Sequence, residues 1–329
     1  MRDARRVLAR LRGRWHALAL IVAVAALPHI LTGSYAWLLT VFTLMGIYAL
    51  LTMGLQILMG FAGQISLGHA AFYGMGAYGS AILTTRCGLS PWLALPAAAC
   101  ITALAAAVIG VPTLRLRGNY LAVATLGLGV VFAHVATAAV GLTGGPDGIV
   151  GIPALALPGG LLTGRTGRYY LIWGFAILAL LLARRAVPSR VGLAWRAMRD
   201  SETAAASLGV DVARMKLVAF VIAAVLASVA GSLYASWRGF ISPEPFDFLT
   251  SVKLVVMVVV GGSGSVWGAL AGAALLVALP EIITLLGGRA TATVGSEWEL
   301  MAYGIIVVLV LVLMPGGLSS IRLGREQRT

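Results

Sequence analysis

Apolar runs of 17 or more residues recur along the whole of this 329-residue chain. At 1.5 Å per residue, each is of a length to cross a hydrocarbon core of about 30 Å as a helix. Backbone in lipid must satisfy its own hydrogen bonds, which leaves only helices and closed barrels. The strict alternation of a barrel strand is absent. Only 11% of residues are charged, against about 25% in an ordinary soluble domain, so lipid must solvate most of the surface. The expected fold class is an all-α integral membrane protein.

Ten spans are expected, at about 16–32, 36–59, 65–85, 91–112, 118–142, 168–185, 216–238, 246–262, 266–286 and 298–315. They form a bundle over 16–316, preceded by a basic N-terminus (1–15) and followed by a tail (317–329). The net charge of +13 is no sign of a nucleic-acid partner, because the basic residues sit between and beyond the apolar runs. With the N-terminus inside, 18 of the 24 basic residues fall on inner segments. That satisfies the positive-inside rule and puts both termini in the cytoplasm. Trp37, Trp92, Trp173, Trp237 and Trp298 fall near outer span ends, where tryptophan favours the lipid–water boundary. The first apolar run continues to Leu31, longer than a signal-peptide core of 7–15 residues, so a retained span is expected. Cys100 lies within an apolar run, which argues against a disulfide with Cys87.

One stretch breaks the pattern. Residues 189–209, SRVGLAWRAMRDSETAAASLG, are rich in Arg and Ala and too polar to span. The spacing predicts one helix, capped by Ser189 and stopped by Gly209. Val191, Trp195 and Met198 give it an apolar face available to another surface. This island, within a cytoplasmic loop over 186–215, is open to three readings: a solvated helix, an anchor on anionic lipid, or a helix seated in a partner's groove.

Two Gly-rich joints follow spans, Met59-Gly60-Phe61-Ala62-Gly63 and Val260-Gly261-Gly262-Ser263-Gly264. Glycine there either lets helices pack closely or breaks a helix beside a transport cavity. Close packing is the leading use; Gln64, Ser66 and His69 beside the first joint add some weight to the second, and Gly63, Gly261, Gly262 and Gly264 share that pathway candidacy. Segment 143–167 is expected as an outer loop, either loosely packed or in contact with an external partner. His16, His29, His69 and His134 lack metal-ligand spacing. Neither lysine, Lys216 or Lys253, follows a glycine, so no P-loop is present. An ion-coupled transporter needs intramembrane carboxylates, and only Glu281 and Asp247 are candidates.

Five blocks occur in order: Gly63-Gln64-Ile65-Ser66-Leu67-Gly68-His69-Ala70-Ala71-Phe72, Leu116-Arg117-Gly118-Asn119-Tyr120-Leu121, Gly144-Gly145-Pro146-Asp147-Gly148-Ile149, Arg199-Asp200-Ser201-Glu202-Thr203-Ala204-Ala205-Ala206-Ser207-Leu208-Gly209, and Val260-Gly261-Gly262-Ser263-Gly264-Ser265-Val266-Trp267-Gly268. Together, over about 35–316, they resemble branched-chain amino-acid ABC importer permeases of the LivM type. The resemblance implies that the island is a coupling helix seated in an ATPase subunit, with Trp195, Met198, Arg199, Asp200, Glu202, Ala205 and Gly209 carrying the contact. Thr203-Ala204-Ala205 stands where the general motif has Glu-Ala-Ala, and Glu202 is one place early. It also implies two cytoplasmic ABC ATPases, a second homologous permease chain, an external substrate-binding protein and a bacterial inner membrane. The chain itself would bind no cofactor, with ATP and Mg used by the partner ATPases. Urea, amides or aromatic acids are alternative cargoes within the same architecture.

Overall fold

The computed structural model describes residues 18–31, 37–114, 119–155 and 164–292, and a few positions between 304 and 318. The chain is a helical bundle: α1 (Leu18–Ile30), α2 (Leu38–Leu55), α3 (His69–Thr85), α4 (Pro91–Thr113), α5 (Asn119–Ala138), α6 (Val140–Thr143), α7 (Arg165–Ala186), α8 (Arg190–Asp200), α9 (Glu202–Ser207), α10 (Val212–Arg238), α11 (Phe248–Gly261) and α12 (Val266–Ala292). A π-helical turn, Gln56–Phe61, extends α2.

Among the described residues, five helices are long and apolar enough to cross a membrane: Leu38–Phe61, Pro91–Thr113, Tyr120–Ala138, Arg165–Ala186 and Val212–Arg238. The count of ten expected spans is therefore met only in part. Helix α3 begins at His69 rather than 65, because 63–68 is irregular backbone. The span expected at 246–262 becomes α11, only 14 residues long. At 1.5 Å per residue it covers about 21 Å, short of the hydrocarbon core. Of the span expected at 298–315 only a few positions are described, and Trp298 and the basic residues 2–14 lie outside the described residues.

The core forms around α10, which lies against α2, α3 and α4. Small residues make the close crossing of α3 and α10 possible. A Cβ on Gly231 would stand 2.0 Å from the Tyr73 carbonyl oxygen, and one on Gly76 2.1 Å from that of Ser228. Ser232 donates to the Gly76 carbonyl at 3.1 Å, and Thr102 to Ser228 at 3.0 Å. Helices α11 and α12 pack through Gly261, Gly268 and Gly272, and Thr52 of α2 donates to the Ala269 carbonyl at 3.1 Å. Such approaches let van der Waals contact and hydrogen bonds hold helices together where no hydrophobic force acts between them.

The described part of segment 143–167 is clamped. Strand β1 (Ile149–Val150) pairs antiparallel with β2 (Phe240–Ile241). Ser236 receives the Leu155 amide at 2.6 Å and donates to the Pro153 carbonyl at 3.2 Å. Trp37 and Trp92 start α2 and α4, and Trp237 ends α10. Trp173 departs from the boundary expectation: it is buried, and its ring N–H donates to the Phe42 carbonyl at 2.9 Å. Cys87 and Cys100 are both free thiols.

Candidate functional site

The island at 189–209 folds as two helices rather than one. Ser189 caps α8, accepting the Gly192 amide at 3.4 Å. The helix stops at Ser201, whose extended backbone lets its hydroxyl accept the Ala204 amide at 3.2 Å and start α9. A serine able to bond its own downstream amide competes with helix continuation, and here it wins. Gly209 ends α9 with φ of +83°, as a C′ glycine does.

The apolar face of α8 is spent inside the chain. Trp195 and Met198 are 1% and 3% exposed, and Ala205 of α9 is 1% exposed. The Trp195 ring N–H donates to the Met215 carbonyl at 3.0 Å, at the start of α10. The expectation that Trp195 and Met198 are available to another surface is thereby corrected: they seat the island on its own bundle. Glu202 also points inward, pairing with the buried Lys216 ammonium at 2.6 Å. The outward surface is made by Leu193, Thr203, Ala204, Leu208 and Gly209, with Leu208 82% exposed. Asp200 and Arg199 are classed as exposed.

Arg199 nevertheless reaches inward with one guanidinium nitrogen, which donates to the Gly60 carbonyl in the π-helical turn. That carbonyl lies at a helix C-terminal end, where acceptors lack intrahelical partners and cations are favoured. Gly63, at φ of +70°, leaves room for this approach, since a Cβ there would stand 3.1 Å from the Arg199 Cα. Gln56 of the same turn donates to the Gly262 carbonyl at 3.1 Å. Gly60 in turn faces the second joint, a Cβ there falling 2.4 Å from the Ser263 carbonyl oxygen. The island, the first Gly-rich joint and the second thus meet at one end of the bundle. Leu318 joins them, its amide bonding the Val260 carbonyl at 2.8 Å.

The candidate pathway residues divide. Gly261 is a packing notch, with a Cβ there falling 1.9 Å from the Gly268 carbonyl oxygen. Gly262, at φ of 101°, closes α11 and accepts from Gln56. Gly264 is exposed with open space beside it. Gln64, Ser66 and His69 are 3%, 1% and 0% exposed; the His69 ring has the Leu51 backbone beside it, whereas the side-chain polar atoms of Gln64 and Ser66 find no hydrogen-bond partner. The Gln56 carbonyl oxygen is in the same condition. Burying such groups unsatisfied costs about 1–3 kcal/mol each, and the Tyr78 and Tyr169 hydroxyls are in the same state elsewhere in the described bundle. Gln56 was not among the candidates read from sequence. The available signal was a lone amide in an otherwise apolar run, four residues before Gly60.

The remaining polar candidates are structural or peripheral. His134 faces outward and bonds the Val130 carbonyl at 2.9 Å. Asp247 caps α11, accepting the Thr250 amide at 2.8 Å. Glu281 is half-buried in α12. His29 is exposed, and His16 lies outside the described residues. No group of three potential metal ligands occurs among the described residues.

A family model described as the branched-chain amino acid transport system / permease component matches residues 37–311. The chain is 34% identical over 324 residues to the high-affinity branched-chain amino acid transport system permease protein LivM of Escherichia coli K12, covering 91% of this chain and 73% of that protein. It is 27% identical over 306 residues to the LivH permease protein of the same system and strain, covering 87% and 94% of the two chains. A shorter match, 31% over 162 residues, is to the autoinducer 2 import system permease protein LsrC of Klebsiella pneumoniae, covering 47% of this chain and 45% of that protein. No solved structure matches the chain.

Proposed function

The chain belongs to the family of branched-chain amino acid transport system permease components, and from that membership we propose that it is the permease subunit of an ATP-driven importer of branched-chain amino acids. It is a multi-pass membrane protein and a transport subunit, not an enzyme. Both termini and the island lie in the cytoplasm, a reading supported by the distribution of arginine. A second, similar permease chain completes the pathway. Two cytoplasmic ABC ATPases bind ATP and Mg, and an external binding protein delivers and largely selects the cargo. The relative named for autoinducer 2 import supports a second reading of the cargo alone, since the same architecture serves another solute.

The observation that carries the coupling assignment is the bond from Arg199 to the Gly60 carbonyl. An ATPase that grips the outward surface around Leu208 moves α8 and α9 together with the α10 start, through Trp195–Met215 and Glu202–Lys216. Arg199 passes that movement to the π-helical turn, and Gln56 passes it to α11. The buried Gln64, Ser66 and His69 follow the same turn in the chain and line the opening when the joints part. The motion is a switch between two packings, biased by ATP.

Purification of the tagged chain in mild detergent tests this. P-loop ATPases should copurify and be lost when Leu208→Glu places a charge at the centre of the outward surface. A chain that moves amino acid alone in liposomes, under an ion gradient and without ATP, would sink the reading. Binding assays on the external partner then fix the cargo.

A further inference from the structure

A cleft of about 710 Å³ opens on the side of the bundle and reaches the second joint, where Gly261, Gly264 and Leu318 line it. It is walled by α1 (Leu20, Val24), α2 (Phe42) and α7 (Trp173), with Trp267 and Ala271 of α12. The volume is that of a ligand site. Among the described residues no charged side chain lines it, and the polar side-chain groups are the Tyr169 hydroxyl, Ser265 and the ring N–H groups of Trp173 and Trp267. An amino acid would bring two charges into this apolar lining without a charged partner, at a cost that rules it out as the occupant. A hydrocarbon chain meets no such cost.

One end of the cleft carries charge of a single sign. The Arg184 guanidinium carbon sits 5.7 Å from the centroid of the Trp267 ring, which lines the cleft. Arg185 follows it on α7, and Arg190 opens α8, both exposed. No carboxylate pairs with any of the three among the described residues. An apolar slot ending under an arginine stacked on tryptophan, with two more arginines beyond, has the charge pattern of a phospholipid's complement: acyl chain inside, phosphate at the basic rim.

We propose that the α1–α2–α7–α12 cleft binds one acyl chain of an anionic phospholipid whose phosphate is held at Arg184. This stands on the chain being embedded in a membrane, not on the transport assignment. The lipid wedges α1 and α12 against α7, directly before the island, and holds the α7 end from which α8 departs.

Native mass spectrometry of the full chain, washed free of lipid in detergent and titrated with either phosphatidylglycerol or phosphatidylethanolamine, tests the site. One phosphatidylglycerol should remain bound, about tenfold more tightly than phosphatidylethanolamine, whose ammonium offsets the phosphate charge that faces the basic rim. Arg184→Gln should abolish the preference between the two lipids, and Ala271→Phe should remove this bound lipid by filling the cleft. Equal retention of the two lipids by the unaltered chain overturns the proposal. So does a preference that survives Arg184→Gln, or a chain that retains neither. Thermal unfolding in the same detergent checks that each variant is folded. Arg184→Gln, at a half-buried rim position, decides the question alone if Ala271→Phe does not fold.

Discussion

Single side chains in the island do two kinds of work that sequence position does not separate. Trp195 is a packing residue: truncation to Ala should cost about 3–5 kcal/mol. Trp195→Phe should cost about 1 kcal/mol, the worth of the bond to Met215, and denaturant titration in detergent separates the two. Arg199 has its stem at the surface and its charge on the Gly60 carbonyl, so Arg199→Ala should leave the fold within about 1 kcal/mol of the parent. In the assembled importer it should nonetheless uncouple ATP hydrolysis from uptake, read as hydrolysis without transported cargo. Transport unchanged in Arg199→Ala would refute its role as the link. The Glu202–Lys216 pair has one end exposed, so solvent discounts its worth, and Glu202→Gln should cost about 1 kcal/mol by thermal unfolding. The early position of Glu202 in the family register sets it beside Lys216, one helix away.

At the scale of elements, the contacts are backbone on backbone, and glycines record where. Gly231→Ala places a methyl 2.0 Å from the Tyr73 carbonyl oxygen and should force α3 and α10 apart. The expected loss is about 1–3 kcal/mol, the usual range for overpacking, visible as a lower unfolding temperature. Gly174→Ala in α7 meets nothing within 4 Å and should be neutral or stabilising by up to about 1 kcal/mol through helix propensity. The same sequence signal, glycine in an apolar run, therefore predicts opposite outcomes at two positions. Composition cannot distinguish them, because the deciding atom belongs to another helix. The break of the island at Ser201 has a similar origin. Helix propensity favoured one continuous helix across it, and a serine capping the Ala204 amide gave two short ones that turn Glu202 toward Lys216.

At the scale of the whole molecule, three stretches far apart in sequence meet at one end of the bundle: 56–64, 190–209 and 260–264. Their meeting gives the coupling proposal its physical content, a rigid path of two hydrogen bonds from Arg199 through the π-helical turn to Gly262. If that path transmits force, a double variant of Arg199→Ala with Gln56→Leu should uncouple no more than Arg199→Ala alone. Independent contributions would instead add. Coupled uptake in proteoliposomes of the assembled importer measures the difference.

The sequence by itself determined the solvent, the helical class, the basic island and the family. Each of these is local: hydropathy over one span, charge between spans, or residues in order along the chain. It also marked both joints and the polar residues beside them. The tertiary structure decided which glycines are notches, that Trp195, Met198 and Ala205 face inward, and that Asp247 is a cap. It alone placed Arg199 on Gly60, buried His69, and left the Gln64 and Ser66 side chains buried without partners. These outcomes depend on which surface of one helix meets which atom of another. In lipid, where apolar faces outside and inside the bundle look alike, hydropathy carries no record of that choice.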